Sequence, residues 1–97
     1  MAIACTQDYE GTIELYERVT GALLEANIQP EGLIFHWVAQ VDDSHIRLTD
    51  VWESREALDQ WGARTAEVAA RHGVPEPVVN VFEVSHYQAG ADLSHQV

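Results

Sequence analysis

Leu33 to Ser54, LIFHWVAQVDDSHIRLTDVWES, reads as two alternating strands around a polar turn that end on a helix cap. A turn at Asp43-Ser44 pairs Asp42 with His45 and, counted back residue for residue, His36 with Val51. In that register Leu33, Phe35, Trp37, Ala39 and Val41 share a face with Ile46, Leu48, Asp50 and Trp52. The opposite face carries Ile34, His36, Val38 and Gln40 beside Arg47, Thr49, Val51 and Glu53. Side chains alternate with period two, so a slip of one residue would mix the two sets. One face is apolar with a single acid; the other is mixed and holds a histidine.

The rest of the chain bounds what this hairpin can belong to. At 97 residues it is one domain, and a chain this short hides only about 60–65% of its unfolded surface. The formal charge is −11, with no Lys and only five Arg. Nucleic acid and anionic membrane surfaces are poor partners for such a chain, because both are held by cationic side chains. The lack of Lys also removes Schiff-base chemistry and Walker-type phosphate loops. Cys5 is the single cysteine, so an internal disulfide and a thiolate cluster are excluded. Its short apolar run, Ala2 to Cys5, suits a buried core thiol. No apolar run approaches the roughly 20 residues of a membrane span. With neither a basic start nor a cleavage site at the N-terminus, a cytoplasmic protein is expected.

Outside the hairpin the elements alternate. Ala2–Gln7 reads as a first strand. Thr12 reads as an N-cap with Glu14 in the first turn, where a negative charge favours the helix start. Ile13, Tyr16, Val19, Leu23 and Ala26 recur at three- and four-residue steps and mark one buried helix face. Ser54 caps a second helix from Arg55 to His72, with Leu58, Trp61, Thr65, Val68 and His72 on one side and Gly73 as the C′ stop. Val78–Tyr87 reads as a last strand. Residues 1–88 form the domain, and residues 89–97 are expected as a loose tail. The order is βαββαβ, an α+β ferredoxin-like arrangement with both helices on one face of a four-stranded antiparallel sheet. Neither parity class of the hairpin looks solvent-facing, and an exposed apolar sheet usually marks an interface. A homodimer, sheet against sheet, is expected.

The element order, with Asp50-Val51-Trp52-Glu53-Ser54-Arg55-Glu56-Ala57-Leu58 closing the third strand and Phe35-His36-Trp37 beside it, resembles the dimeric α/β-barrel superfamily. Within that superfamily it is similar to the antibiotic-biosynthesis-monooxygenase-like small bacterial proteins, over roughly Ala2 to Tyr87. The superfamily includes quinol monooxygenases, haem-degrading enzymes, polyketide cyclases and lactone isomerases. The resemblance implies a pocket in each subunit between sheet and helices, suited to a flat hydrophobic ligand.

Candidate chemistry centres on the acids and histidines. His36 lies mid-strand, diagonal to Thr49 and Glu53, and diagonal neighbours about 7–8 Å apart can meet through long side chains. A histidine oriented by a carboxylate is a general acid/base arrangement; the bland alternative is a half-buried structural histidine. Asp50, between Trp37 and Trp52, sits where desolvation favours the protonated acid. It could donate to a substrate carbonyl, or it could satisfy a backbone group or a partner-chain side chain at the dimer interface, which is the preferred reading. Glu53 is a further catalytic candidate, or a favourable charge before the helix start. Thr49, Trp52, Trp61, His72 and His86 are the candidate ligand-binding residues. His72 equally suits a charge near a helix C-terminus, and His86 and Tyr87 face opposite ways at the end of strand four.

The five histidines lack metal-ligand spacing, and there is no Gly-x-Gly-x-x-Gly or serine-hydrolase elbow. Neither a metal nor a cofactor is expected. Three readings stand. One is cofactor-independent oxygenation, isomerisation or cyclisation of an aromatic or polycyclic metabolite, with His36 moving a proton. Another is a non-catalytic carrier or scaffold. The third, haem degradation, follows from the resemblance through Trp61 and His72, but the first strand lacks the Asn that branch uses.

Overall fold

The computed structural model describes residues 1–86. Its elements are β1 (Ile3–Glu10), α1 (Ile13–Glu25), β2 (Leu33–Asp42), β3 (His45–Trp52), α2 (Arg55–Arg71) and β4 (Val78–Glu83). The strands form an antiparallel sheet in the order β2-β3-β1-β4. This is the α+β ferredoxin-like βαββαβ fold expected from the sequence. No helix among the described residues is long and apolar enough to cross a membrane.

The helix ends follow their local chemistry. The Thr12 hydroxyl accepts from the Leu15 N–H, and Ser54 Oγ accepts from the Ala57 N–H at 3.1 Å. Each cap satisfies a backbone donor that the first helical turn leaves unpaired. At the other end of α2, Gly73 adopts φ +71°, the left-handed conformation expected of a C′ glycine. Gly32 has φ +86°, and a Cβ there would lie 2.7 Å from the Ala57 Cβ. The turn into β2 therefore packs directly on the start of α2, and the Glu53 N–H donates to the Gly32 carbonyl at 2.8 Å.

The hairpin departs from the simple count. Asp42 pairs with His45, but the next pair is Gln40 with Ile46, leaving Val41 as a bulge. His36 therefore lies opposite Asp50, not Val51, and Trp37 opposite Thr49. A second irregularity at Ile34 returns Leu33 to the face of Trp52. One extra residue in a strand reverses the facing of everything beyond it. The expected grouping of Phe35, Trp37, Ala39 and Val41 with Ile46, Leu48, Asp50 and Trp52 is thus overturned. Instead His36, Val38 and Gln40 join that second set. Gln40 braces the bulge: its Oε1 accepts from the Ile13 N–H at 3.0 Å, and its Nε2 donates to the Asp42 carbonyl at 2.7 Å.

Both helices cover this inner face. Its core is Ile3, Cys5, Trp52 and Leu58, with Leu33, Ala57, Trp61 and Val81 packed against them. Cys5 is fully buried, and burial pushes its thiol up, away from the thiolate that reactivity requires. On the outer face, Phe35, Val51, Ala4 and Phe82 form a row across all four strands.

Two strand limits also differ. The first strand runs on to Glu10, and the last ends at Glu83, so His86 lies beyond it and is exposed. The expected facing of Tyr87 and the tail at 89–97 fall outside the described residues.

Candidate active site

With the bulge in place, three side chains from different elements converge. His36 on β2 projects inward beside Asp50 on β3, and its Nδ1 lies 2.5 Å from Asp50 Oδ1. Its Nε2 lies 2.6 Å from the Tyr16 hydroxyl on α1. The Tyr16 and His36 rings stack nearly parallel, with centroids 5.9 Å apart and planes at 17°. Asp50 is buried at 3% exposure, whereas the His36 side chain keeps 27%.

The chemistry of this chain follows from its donors and acceptors. In the neutral imidazole, a carboxylate against Nδ1 places the ring proton on Nδ1 and leaves Nε2 as the acceptor. The Tyr16 O–H then donates to Nε2. Burial first, and the nearby Asp50 charge second, push the Tyr16 phenol above its ordinary value of 10.0. Near neutral pH it therefore keeps its proton and serves as donor or relay rather than as a standing base. Tyr9, on β1, is pushed up by burial and then by the same Asp50 charge. Its hydroxyl donates to Gln7 Oε1 at 3.2 Å, and Gln7 Nε2 reaches Cys5 Sγ at 3.5 Å.

The three residues open on a cavity of about 580 Å³ between the sheet and both helices, within the size range of small-molecule sites. Its walls are mainly apolar, with Leu15, Val19 and Leu23 from α1, Ile46 and Leu48 from β3, and Trp61 from α2. Trp52 and Trp61 lie side by side with ring centroids 5.9 Å apart. Trp52 is 1% exposed, and its indole N–H has no hydrogen-bond partner.

The structure sorts the sequence candidates by position. His36, Asp50, Trp52 and Trp61 line the cavity. Asp50 meets His36 here, which corrects its preferred placement in a sheet-to-sheet interface. Thr49 lies opposite Trp37 on the outer face, so it does not flank His36 as expected. Glu53 is exposed just before α2, His72 is exposed as its C-cap, and His86 is exposed beyond β4; none of them lines the cavity. Tyr16 and Tyr9 were not among the candidates. Tyr16 stood on the buried stripe of α1, and a tyrosine there carries a hydroxyl that needs a partner. That requirement was the available signal. No group of side chains suited to holding a metal occurs among the described residues.

Solved structures share this fold at low sequence identity. SnoaB, a cofactor-independent oxygenase from Streptomyces nogalater, superposes with a TM-score of 0.67 at 13% identity, over 89% of this chain and 95% of its own. A candidate antibiotic biosynthesis monooxygenase from Chloroflexus aurantiacus gives 0.64 at 17% identity, over 93% of this chain and 100% of its own. A protein of unknown function from Nitrosomonas europaea gives 0.70 at 10% identity, over 93% of this chain and 95% of its own. No protein-family model matches the sequence, and no curated protein matches it. The chain has the fold of the antibiotic-biosynthesis-monooxygenase-like proteins, as the motif around Asp50–Leu58 implied.

Proposed function

We propose that the protein is a homodimer whose cavity takes up a flat, hydrophobic phenolic or polycyclic metabolite, and that Tyr16, His36 and Asp50 move a proton on it. The observation that carries this reading is the unbroken chain from Asp50 through His36 to Tyr16 at the wall of an apolar cavity. A substrate O–H or acidified C–H meeting the Tyr16 oxygen passes its proton there as the Tyr16 proton moves to Nε2. The imidazolium so formed is held by the Asp50 carboxylate. Positioned proton transfer of this kind contributes about 10²- to 10⁴-fold in rate.

The substrate anion left behind can react in two ways. Reprotonation at another atom gives isomerisation or closes a ring. Attack on dioxygen at a ring CH₂ gives C=O and water; the substrate supplies all four electrons that reduce dioxygen, one oxygen atom is retained and the other leaves as water. Oxygenation without a cofactor is the activity of SnoaB, and the shared fold supports it as the first reaction to test.

The dimer rests on the outer face. Phe35 (58% exposed) and Phe82 (56%) end the apolar row through Val51 and Ala4, with Trp37 (41% exposed) beside it, on a chain too small to leave such a row uncovered. Light scattering should find a dimer at micromolar concentration, and a folded monomer there would contradict it.

The function is tested by a thermal-shift screen of hydroxylated anthrones, quinols and naphthols, followed by oxygen uptake and product analysis on every ligand that stabilises the fold. Turnover of a stabilising phenol supports the enzyme. Stabilisation without turnover supports a carrier, and no stabilisation by any aromatic ligand removes the cavity as a ligand site.

A further inference from the structure

The formal charges that line the cavity are all acidic. Glu10 and Glu17 line it and are exposed, while Asp50 lines it and is buried. The chain has no Lys, and none of its five Arg lines the cavity. Arg47 is engaged with Asp8 at 2.7 Å, Arg55 with Asp59 at 3.0 Å and Arg71 with Glu67 at 2.5 Å. Arg64 donates to the Gln29 carbonyl at 3.3 Å, and Arg18 is exposed on α1. His36 is already matched with Asp50, so protonating it yields an internal pair and not a free cation.

Two side chains within the cavity feel its burial and the Asp50 part of this charge. Tyr9 and Tyr16 are both pushed up, and in each the Asp50 charge adds to the effect of burial. The Asp50 charge that opposes a phenolate on either tyrosine also opposes an anion carried into the cavity by a ligand. The apolar walls act in the same direction, since they replace none of an anion's hydration.

We infer that the cavity selects uncharged aromatic ligands and turns away their carboxylated, sulfonated or phosphorylated counterparts. The substrate is therefore ionised inside the site, by the Tyr16–His36–Asp50 chain, and not before entry. This rests on the cavity being the ligand site and deepens that reading: it narrows the substrate class to neutral phenols and enolisable ketones. It excludes aromatic acids and thioesters of phosphorylated carriers from contributing their charged groups to the cavity.

The experiment compares 2-naphthol with 2-naphthoate, matched in ring size and opposite in charge state at pH 7, by calorimetry on the full chain. Naphthol should bind at least about tenfold more tightly, a difference well resolved by calorimetry. The gap should narrow as salt rises, because exposed charges such as Glu10 and Glu17 are screened. It should also narrow in Glu17→Arg, an exposed substitution that leaves the core intact. Naphthoate binding as tightly as naphthol overturns the inference alone and leaves the cavity as a ligand site. A gap indifferent to both salt and Glu17→Arg assigns the selectivity to the apolar walls and overturns the electrostatic account. Failure of both ligands to bind counts against the proposed function itself, and the inference falls with it.

Discussion

The two faces of this sheet are made by the same four strands, yet they have different fates. On the inner face, His36, Asp50 and Trp52 lie under two helices and around a cavity. On the outer face, Phe35, Trp37 and Phe82 are equally large but stand exposed. Hydrophobicity does not separate the two sets; the path of the backbone at Val41 does. A bulge of one residue decides whether the histidine or the tryptophan of His36-Trp37 enters the site. The lesson is that polar chemistry can occupy the covered face of a small sheet while aromatic bulk is left on the open one.

The largest effect is expected from inserting one alanine between Trp37 and Val38. With the bulge at Val41 kept, Phe35 and Trp37 would turn inward into the space of His36. With the bulge dissolved, His36 would slide to oppose Trp52. Either way the Tyr16–His36–Asp50 chain would be lost. The expected cost is about 4 kcal/mol or more, the range reached when a core is mispacked and a buried polar group loses its partner. Urea denaturation measures it. An insertion variant that folds with near-parent stability and still holds His36 against Asp50 would show that the register of β2 does not set the faces.

This bulge is also where sequence reading and structure part. The caps at Thr12 and Ser54, the glycine stop at Gly73 and the turn at Asp43-Ser44 are local signals. Each needs only a few neighbouring residues to be recognised, and the element order follows from them. The register of β2 is not local. Both registers give the hairpin one largely apolar side, and period-two patterning points to the set with more aromatics, which the bulge turns outward. Burial of Asp50 was legible from its apolar neighbours on β3, but its partner was not. Tyr16 meets His36 across 20 positions of sequence, a juxtaposition fixed by how α1 crosses the sheet. Thr49 and Glu53 share a face with His36 only in a register without the bulge.

Next in size is the inner face itself. His36→Gln keeps a similar volume but removes the titratable ring, and it should lower turnover by about 10²- to 10⁴-fold with folding largely kept. If His36 serves only structure, the same change should cost about 1–3 kcal/mol through unpaired neighbours and leave ligand handling intact. Melting and activity measured on one variant separate these outcomes.

A smaller effect is expected on the outer face. Trp37→Glu places a charge on the exposed aromatic surface, at the edge strand β2. Association should weaken by at least about 2 kcal/mol, the scale of an interface hot spot. Sedimentation at a series of concentrations measures this, and an unchanged dimer would move the interface elsewhere.

The smallest expected effect is alkaline. The Tyr16 phenol is raised in the folded protein above its ordinary 10.0. The folded state therefore holds that proton to higher pH than the unfolded chain does. Its contribution to stability is complete below pH 10 and is lost as pH rises through the folded value. Tyr16→Phe should flatten this part of the alkaline loss in a series of melts, with Tyr9 leaving a residual slope of the same sign. An identical alkaline profile in parent and variant would place Tyr16 outside the buried chain.

The central claim is that Tyr16, His36 and Asp50 meet the ligand, and a crystal structure with a bound neutral phenol tests it most directly. The account predicts the aromatic ring between Trp61 and the α1 wall, with its oxygen within hydrogen-bond distance of the Tyr16 hydroxyl or His36 Nε2. A phenol seated on the outer face instead, with the Tyr16–His36–Asp50 chain untouched by ligand, would contradict it.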